Sequence, residues 1–326
     1  MRQLKYHAFV LTMLLLPGLA CADWFRDEAA IMGTAVNVEL WHDDEHQGRS
    51  LIDAAMDEMR RIDQLMSSYK AESELSRVNA ESATQAVIVS TELFALIEQA
   101  LRYSDITDGA FDITYASAGQ YYDYRTGRKP DDQQLAAALP AISYRHVILD
   151  KTHSSVRFTQ PGVRIDLGGI AKGYAVDRCI AMLQAAGISN ALVTAGGDTR
   201  VIGRRWKHPW MIGVRDPRKH DGIITRIPLE DAAISTSGDY ERFFDQDGIR
   251  YHHILNPGTG DSPREVHSTT IIGTNATHTD ALSTSVFVLG VTKGLSLINT
   301  LPDTEAVIID NQGKMHYSDG LEQLTH

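Results

Sequence analysis

Between residues 163 and 187 the chain changes its hydrophobic period, and that change restricts the folds open to it. Val163-Arg164-Ile165-Asp166-Leu167 alternates in steps of two, Gly168-Gly169 interrupts, and residues 174–186 follow helical spacing up to Gly187. This reads as strand, glycine turn, helix. Further strands are expected at 191–194, 210–214, 269–272 and 306–309. In residues 51–66, Ile52, Met56, Met59, Ile62 and Met66 recur at helical spacing among charged residues and predict an amphipathic helix with a core-facing stripe. A second helix is expected after Ser90, a good N-cap, running through Leu93, Ile97 and Ala100 toward Gly109. Residues 117–146, with a Lys129-Pro130-Asp131 turn signal, predict a surface excursion. Helices and strands mix without regular βαβ alternation, so the expected class is α+β.

A chain of 326 residues with 43% hydrophobic content should fold as one large domain or two closely packed lobes. Its start differs from the rest: Arg2 and Lys5 precede an apolar run over 8–16, Pro17-Gly18 breaks it, and Ala20-Cys21-Ala22 has the small-x-small form of a cleavage site. Residues 1–22 are therefore expected to be a signal peptide, leaving a domain over 23–326. The alternative is a lipid anchor on Cys21, which the residues before it favour less. Losing two basic and no acidic residues moves the formal charge from −11 to −13, a poor match for nucleic acid. Only Cys179 then remains, and its apolar neighbours suggest burial. No second long apolar segment is expected after the leader.

Three segments could carry chemistry. In 166–173, glycines stand where a strand enters a helix, so backbone N–H groups there favour an anion, and Lys172 could add positive charge beside a phosphate. Many such glycine turns are only turns. Asp280 and Thr284 are four apart and share a face if helical; a carboxylate and a hydroxyl suit Mg²⁺ or Ca²⁺, although a helix-terminal Asp with a back-bonded Thr is the plainer reading. Zinc is disfavoured for want of a Cys/His set at structural-site spacing. His252 and His253 end a predicted strand before Pro257-Gly258 and face opposite ways, so one of them could serve a site as general base.

Taken together, these segments resemble the ApbE family, the FAD:protein FMN transferases. The likeness runs in order through Met32-Gly33-Thr34, Ser68-Tyr69, residues 73–79, residues 108–114, residues 166–173, Ala195-Gly196-Gly197-Asp198, residues 235–240, residues 253–260 and residues 280–284. It implies an α+β, T-fold-like architecture of mixed sheets flanked by helices, with FAD in a central cleft. It also implies that Met32, Tyr69, Ala110, Phe111, Asp112, Asp166, Lys172 and Ile254 line the FAD site. The Gly169 carbonyl, Asp280 and Thr284 would bind Mg²⁺, and His253 with Asp280 would be catalytic. Gly169 stands where several relatives carry Ala, Ser or Thr. The implied reaction moves FMN from FAD to a threonine of an acceptor flavoprotein, such as a membrane-bound electron-transfer subunit, outside the cytoplasm in the periplasm, and releases AMP. The same site could instead hydrolyse FAD to FMN and AMP, or the chain could be a flavin carrier without catalysis.

Overall fold

The computed structural model describes residues 23–219 and 222–322; the expected leader and Cys21 lie outside the described residues. Its frame is an antiparallel sheet whose neighbours in space are also neighbours in chain order. The strands are β1 (Asp23–Ile31), β2 (Thr34–His42), β3 (Ala191–Ala195), β4 (Asp198–Ile202), β5 (Ala233–Gly238), β6 (Val266–Gly273), β7 (Glu305–Asp310) and β8 (Met315–Tyr317). Apart from the short helix Asp319–Glu322 after the last strand, the other described elements are inserted between these strands. Four helices carry most of the insertions: α1 (Glu45–Met66), α2 (Thr91–Ile106), α3 (Ala171–Ala185) and α4 (Ala276–Ile298). This is the expected α+β class.

Alternation along the strands assigns the two faces of the sheet. Val36, Val38 and Leu40 of β2 and Val193 of β3 join the main core, on which α1, α3 and α4 pack. Leu192, Val201 and Ile234 point the other way, into a smaller core closed by the hairpin Trp210–Arg215 with Ile223–Leu229. The α1 stripe is buried as predicted, from Ile52 through Met66. Each such side chain contributes roughly 1.5–3 kcal/mol by leaving water. Ser90 caps α2 by accepting from the Leu93 N–H at 3.3 Å. Cys179 is buried against the Ala55 carbonyl, and burial pushes its thiol up to about 12, so it packs as a small apolar residue.

Three features depart from the sequence reading. Residues 163–167 are extended but form no strand, because their N–H groups are claimed elsewhere: Arg164 by Ser117 Oγ (3.0 Å), Ile165 by Asn79 Oδ1 (2.8 Å) and Asp166 by the Ile113 carbonyl (2.9 Å). Alternation there marks one buried side, with side chains in place of a partner strand. The hairpin β1–β2 was not anticipated, since its two-residue turn is Met32-Gly33 with φ of 55° and 71°, and methionine is not a usual residue for that left-handed position. Finally, Ala276–Ile298 is long and apolar enough to cross a membrane by length and composition, contrary to the expectation of no second such segment. It packs against the sheet and α3, and its helical backbone is interrupted at Gly290 (φ 76°).

Helices α3 and α4 cross where Gly173 meets Ala276. A Cβ on Gly173 would lie 2.1 Å from the Ala276 carbonyl oxygen and 2.8 Å from Asp280 Cβ. Gly-to-Ala inside a helix ordinarily stabilises by about 1 kcal/mol. Here Gly173→Ala is expected to destabilise by about 2–3 kcal/mol, the upper range of overpacking, read as a lower urea midpoint. A raised midpoint would mean that the helices do not meet this closely.

Candidate active site

The turn after residue 166, the Met32-Gly33 and Gly196-Gly197 turns, and the start of α4 converge on an open cleft with a cavity volume of about 220 Å³. Met32, Ala110, Phe111, Asp112, Asp166, Gly169, Lys172, His253, Ile254, Asp280 and Thr284 all line it. Tyr69 does not: it stands 86% exposed on the turn after α1, outside the wall. The neighbouring Ser68 reaches inward and donates to Asp166 Oδ2.

Asp166 organises the glycine turn. Its Oδ1 accepts from Gly168 N–H (2.7 Å) and from Tyr115 OH (2.9 Å). Burial, followed by the Asp166 charge, raises the Tyr115 phenol well above its usual range, so Tyr115 stays a donor. The Asp112 carboxylate is committed to local structure, accepting from Thr114 N–H and Oγ1 and from Tyr144 N–H at 2.6–2.8 Å. Asp112 can therefore serve the cleft only through its backbone.

Lys172 is placed differently from the expected phosphate partner. Its ammonium donates to the Gly168 carbonyl (2.8 Å) and lies 3.1 Å from Asp198 Oδ2 and 3.3 Å from Asp280. Burial alone would lower its pKa; the two carboxylates override burial and raise it. Asp280 is nearly inaccessible, and burial and then the Asp198 charge raise its carboxyl, against Lys172 and the Gly173 N–H at 3.0 Å. Two buried carboxylates thus share one ammonium. The family resemblance includes Asp198 without implying a role for it; its place after two glycines in a tight turn is the signal the sequence offers.

This end of the cleft holds one more carboxylate than it has ammonium groups. Thr284 lies one turn beyond Asp280 on α4, and the Gly169 Cβ position is 3.2 Å from its hydroxyl and 3.1 Å from Phe111. Asp280, Thr284 and the Gly169 carbonyl are hard oxygen donors, which fit Mg²⁺. Among the described residues no group of three or more His, Cys, Asp or Glu could hold a metal.

The two histidines face apart. His252 is 2% exposed, its Nε2 lies 2.9 Å from the Pro263 carbonyl, and its ring meets Phe287 edge-on at 5.3 Å. His253, just past the strand Ile249–His252, lines the cleft with Nδ1 unpartnered, and its N–H donates to the Arg242 carbonyl at 3.1 Å. Burial, then the charge of Arg242, lowers its pKa well below the usual range. It is a neutral imidazole at neutral pH, with its Nδ1 buried and unpartnered.

Residues 32–308 match the sequence profile of the ApbE family. The chain belongs to that family. It is 30% identical over 315 residues to an FAD:protein FMN transferase of Treponema pallidum, covering 89% of this chain and 86% of the relative. It is 32% identical over 285 residues to one of Klebsiella pneumoniae, covering 86% and 87%. The ApbE protein of Thermotoga maritima superposes with a TM-score of 0.85 at 36% identity, covering 93% of this chain and all of that one. The flavin transferase ApbE of Vibrio cholerae gives 0.81 at 28% identity, covering 93% and 99%. The architecture is thus that of ApbE flavin transferases.

The charge count of this ApbE-family cleft carries a prediction. Asp280→Asn should weaken Mn²⁺ binding, followed by electron paramagnetic resonance with FAD present, by at least about 10-fold, a loss that even outer-shell changes produce. It should leave the metal-free protein at least as heat-stable, since it removes one of two repelling carboxylates. Unchanged Mn²⁺ affinity would remove Asp280 from the ligand set.

Proposed function

We propose that this chain transfers FMN from FAD to a threonine hydroxyl of an acceptor flavoprotein, with Mg²⁺, and releases AMP. The observation that carries the reading is a neutral histidine lining the same cleft as Asp280, Thr284 and Gly169. The names of its relatives support the substrate assignment. Met32, Ala110, Phe111 and Ile254 offer apolar surface to a flavin. Tyr69 stands outside the wall and would have to reach the flavin from the rim. Mg²⁺ bound by Asp280, Thr284 and the Gly169 carbonyl would neutralise diphosphate charge.

The residues of the chain do the remaining work. His253 accepts the threonine hydroxyl proton as the threonine oxygen bonds to the FMN phosphorus. The bond from that phosphorus to the bridging oxygen breaks, and AMP leaves with that oxygen. The Gly173 N–H and Lys172 hold Asp280 in place, and Tyr115 and Ser68 hold Asp166 and with it the glycine turn. An acceptor outside the cytoplasm, reached through the leader over 1–22, completes the reading. Mass spectrometry of an acceptor incubated with enzyme, FAD and Mg²⁺ tests it: a threonine carrying one FMN is expected. AMP release at the same rate without acceptor would favour hydrolysis, and intact FAD would favour a carrier.

A general base contributes about 10²–10⁴-fold, so His253→Ala should lose activity on that scale while still binding FAD. His252→Ala should instead lose stability by about 1–3 kcal/mol, because it removes a buried hydrogen-bonded ring. The pH profile carries a second sign. A depressed pKa keeps His253 neutral above the usual value of about 6.5, and protonation disables it only below that. The kcat/KM profile, which reports the free enzyme, should therefore be flat for this group from about pH 6.5 upward and fall only in more acid solution. A histidine-like limb centred near neutrality would contradict the assignment.

A further inference from the structure

Arg242 lines the cleft beside His253 and is the cation there that no carboxylate of the described residues matches. Three arginines of the same region are paired: Arg215 with Glu241 at 3.2 Å, Arg218 with Asp239 at 2.7 Å and Arg250 with Asp245 at 3.1 Å. Lys172, the other cleft cation, is spent on Asp198 and Asp280. The Arg242 backbone is tied to His253 by the 3.1 Å hydrogen bond, so the side chain issues from a point fixed relative to the ring. Its field reaches inward: after burial it is the largest influence lowering the His253 pKa, and it also acts on the buried phenol of Tyr115. An unmatched guanidinium aimed into a cleft beside a proton acceptor is built for an anion that arrives there.

We propose that Arg242 is a further catalytic residue, binding the diphosphate of FAD from the His253 wall of the cleft and stabilising the charge that builds on the transferring phosphoryl group. This rests on the transferase reading. During transfer the threonine oxygen bonds to phosphorus and its proton passes to His253. The bond to the bridging oxygen breaks and AMP leaves. Arg242 exchanges no proton and remains cationic throughout. Protonating His253 adds a positive charge beside Arg242, and the phosphoryl oxygens between substrate and wall offset that repulsion. Phosphoryl transfer depends on such preplaced charge more than on covalent participation.

The test compares wild type, Arg242→Lys and Arg242→Ala in single-turnover transfer from FAD to an acceptor domain with Mg²⁺, alongside FAD titration by flavin fluorescence. Arg242→Ala should lose on the order of 10²–10³-fold in rate, the scale of one lost oxyanion donor. Its FAD Kd should change by less than about 10-fold, Arg242→Lys should fall between, and added guanidinium should restore part of the Arg242→Ala rate. Arg242 is exposed, so both variants should keep the wild-type Tm. Rates within about threefold of wild type, a rate loss no greater than the loss of FAD affinity, or no rescue by guanidinium would each overturn the inference. If wild type itself moves no FMN to the acceptor, the functional reading fails first, and that outcome is separate from the other three.

Discussion

The approach of α3 to α4 at Gly173 is the contact on which the cleft depends. Because Gly173 has no side chain, its N–H comes within 3.0 Å of Asp280 Oδ2 and holds a carboxylate that would otherwise be repelled by Asp198. The crossing is locked one turn further along α3 by Asp177. Its carboxylate accepts from the N–H groups of Ala276 (2.9 Å) and Thr277 (2.8 Å) at the start of α4, and Arg200 on β4 pairs with it at 2.8 Å. Free N–H groups at a helix start favour negative charge, and here a neighbouring helix supplies it. Sheet, α3 and α4 are thus fixed in one register, and Asp280 and Thr284 inherit their positions from it.

This placement costs stability and creates function from the same atoms. Two buried carboxylates around one ammonium leave a net negative site in low dielectric, which a fold selected only for stability would avoid. On the proposed reading a divalent cation bound with an anionic substrate would offset that cost. Lys172 is the resident counter-ion that makes the carboxylate pair tolerable, leaving Arg242 as the other cation of the cleft.

Much of the fold was legible because its signals are local. The α1 stripe, the Ser90 cap, the strand runs at 191–194, 269–272 and 306–309, and the helix after Gly169 each follow from side-chain period or cap chemistry within a few residues. What escaped depends on distant partners. Residues 163–167 carry a strand pattern, yet Asn79 and Ser117, from far along the chain, take the place of a neighbouring strand. The burial of α4 in a core of sheet and helix cannot be read from its composition, which suits a bilayer equally well. In the site, motif likeness reached the residues lining the cleft but not their commitments. That Lys172 is already paired, that Asp112 is occupied by Thr114 and Tyr144, and that Tyr69 stands outside the wall are all facts of three-dimensional bookkeeping.

The pair His252-His253 shows how a single strand step divides structure from chemistry. Identical side chains in adjacent positions fall on opposite sides, one against Phe287 and the Pro263 carbonyl and the other into the cleft. The inner ring is anchored by its hydrogen bond and packing, and so fixes the end of the strand. The outer ring has its backbone held by the Arg242 carbonyl and borders the cleft. A one-residue slip would exchange the two rings. The Ser262 hydroxyl resists that slip, since it accepts from His252 N–H at 2.9 Å and donates to the His252 carbonyl, clamping both backbone groups of the residue that must stay inside. The register of this short strand is thereby what puts His253, and not its neighbour, in the wall of the cleft.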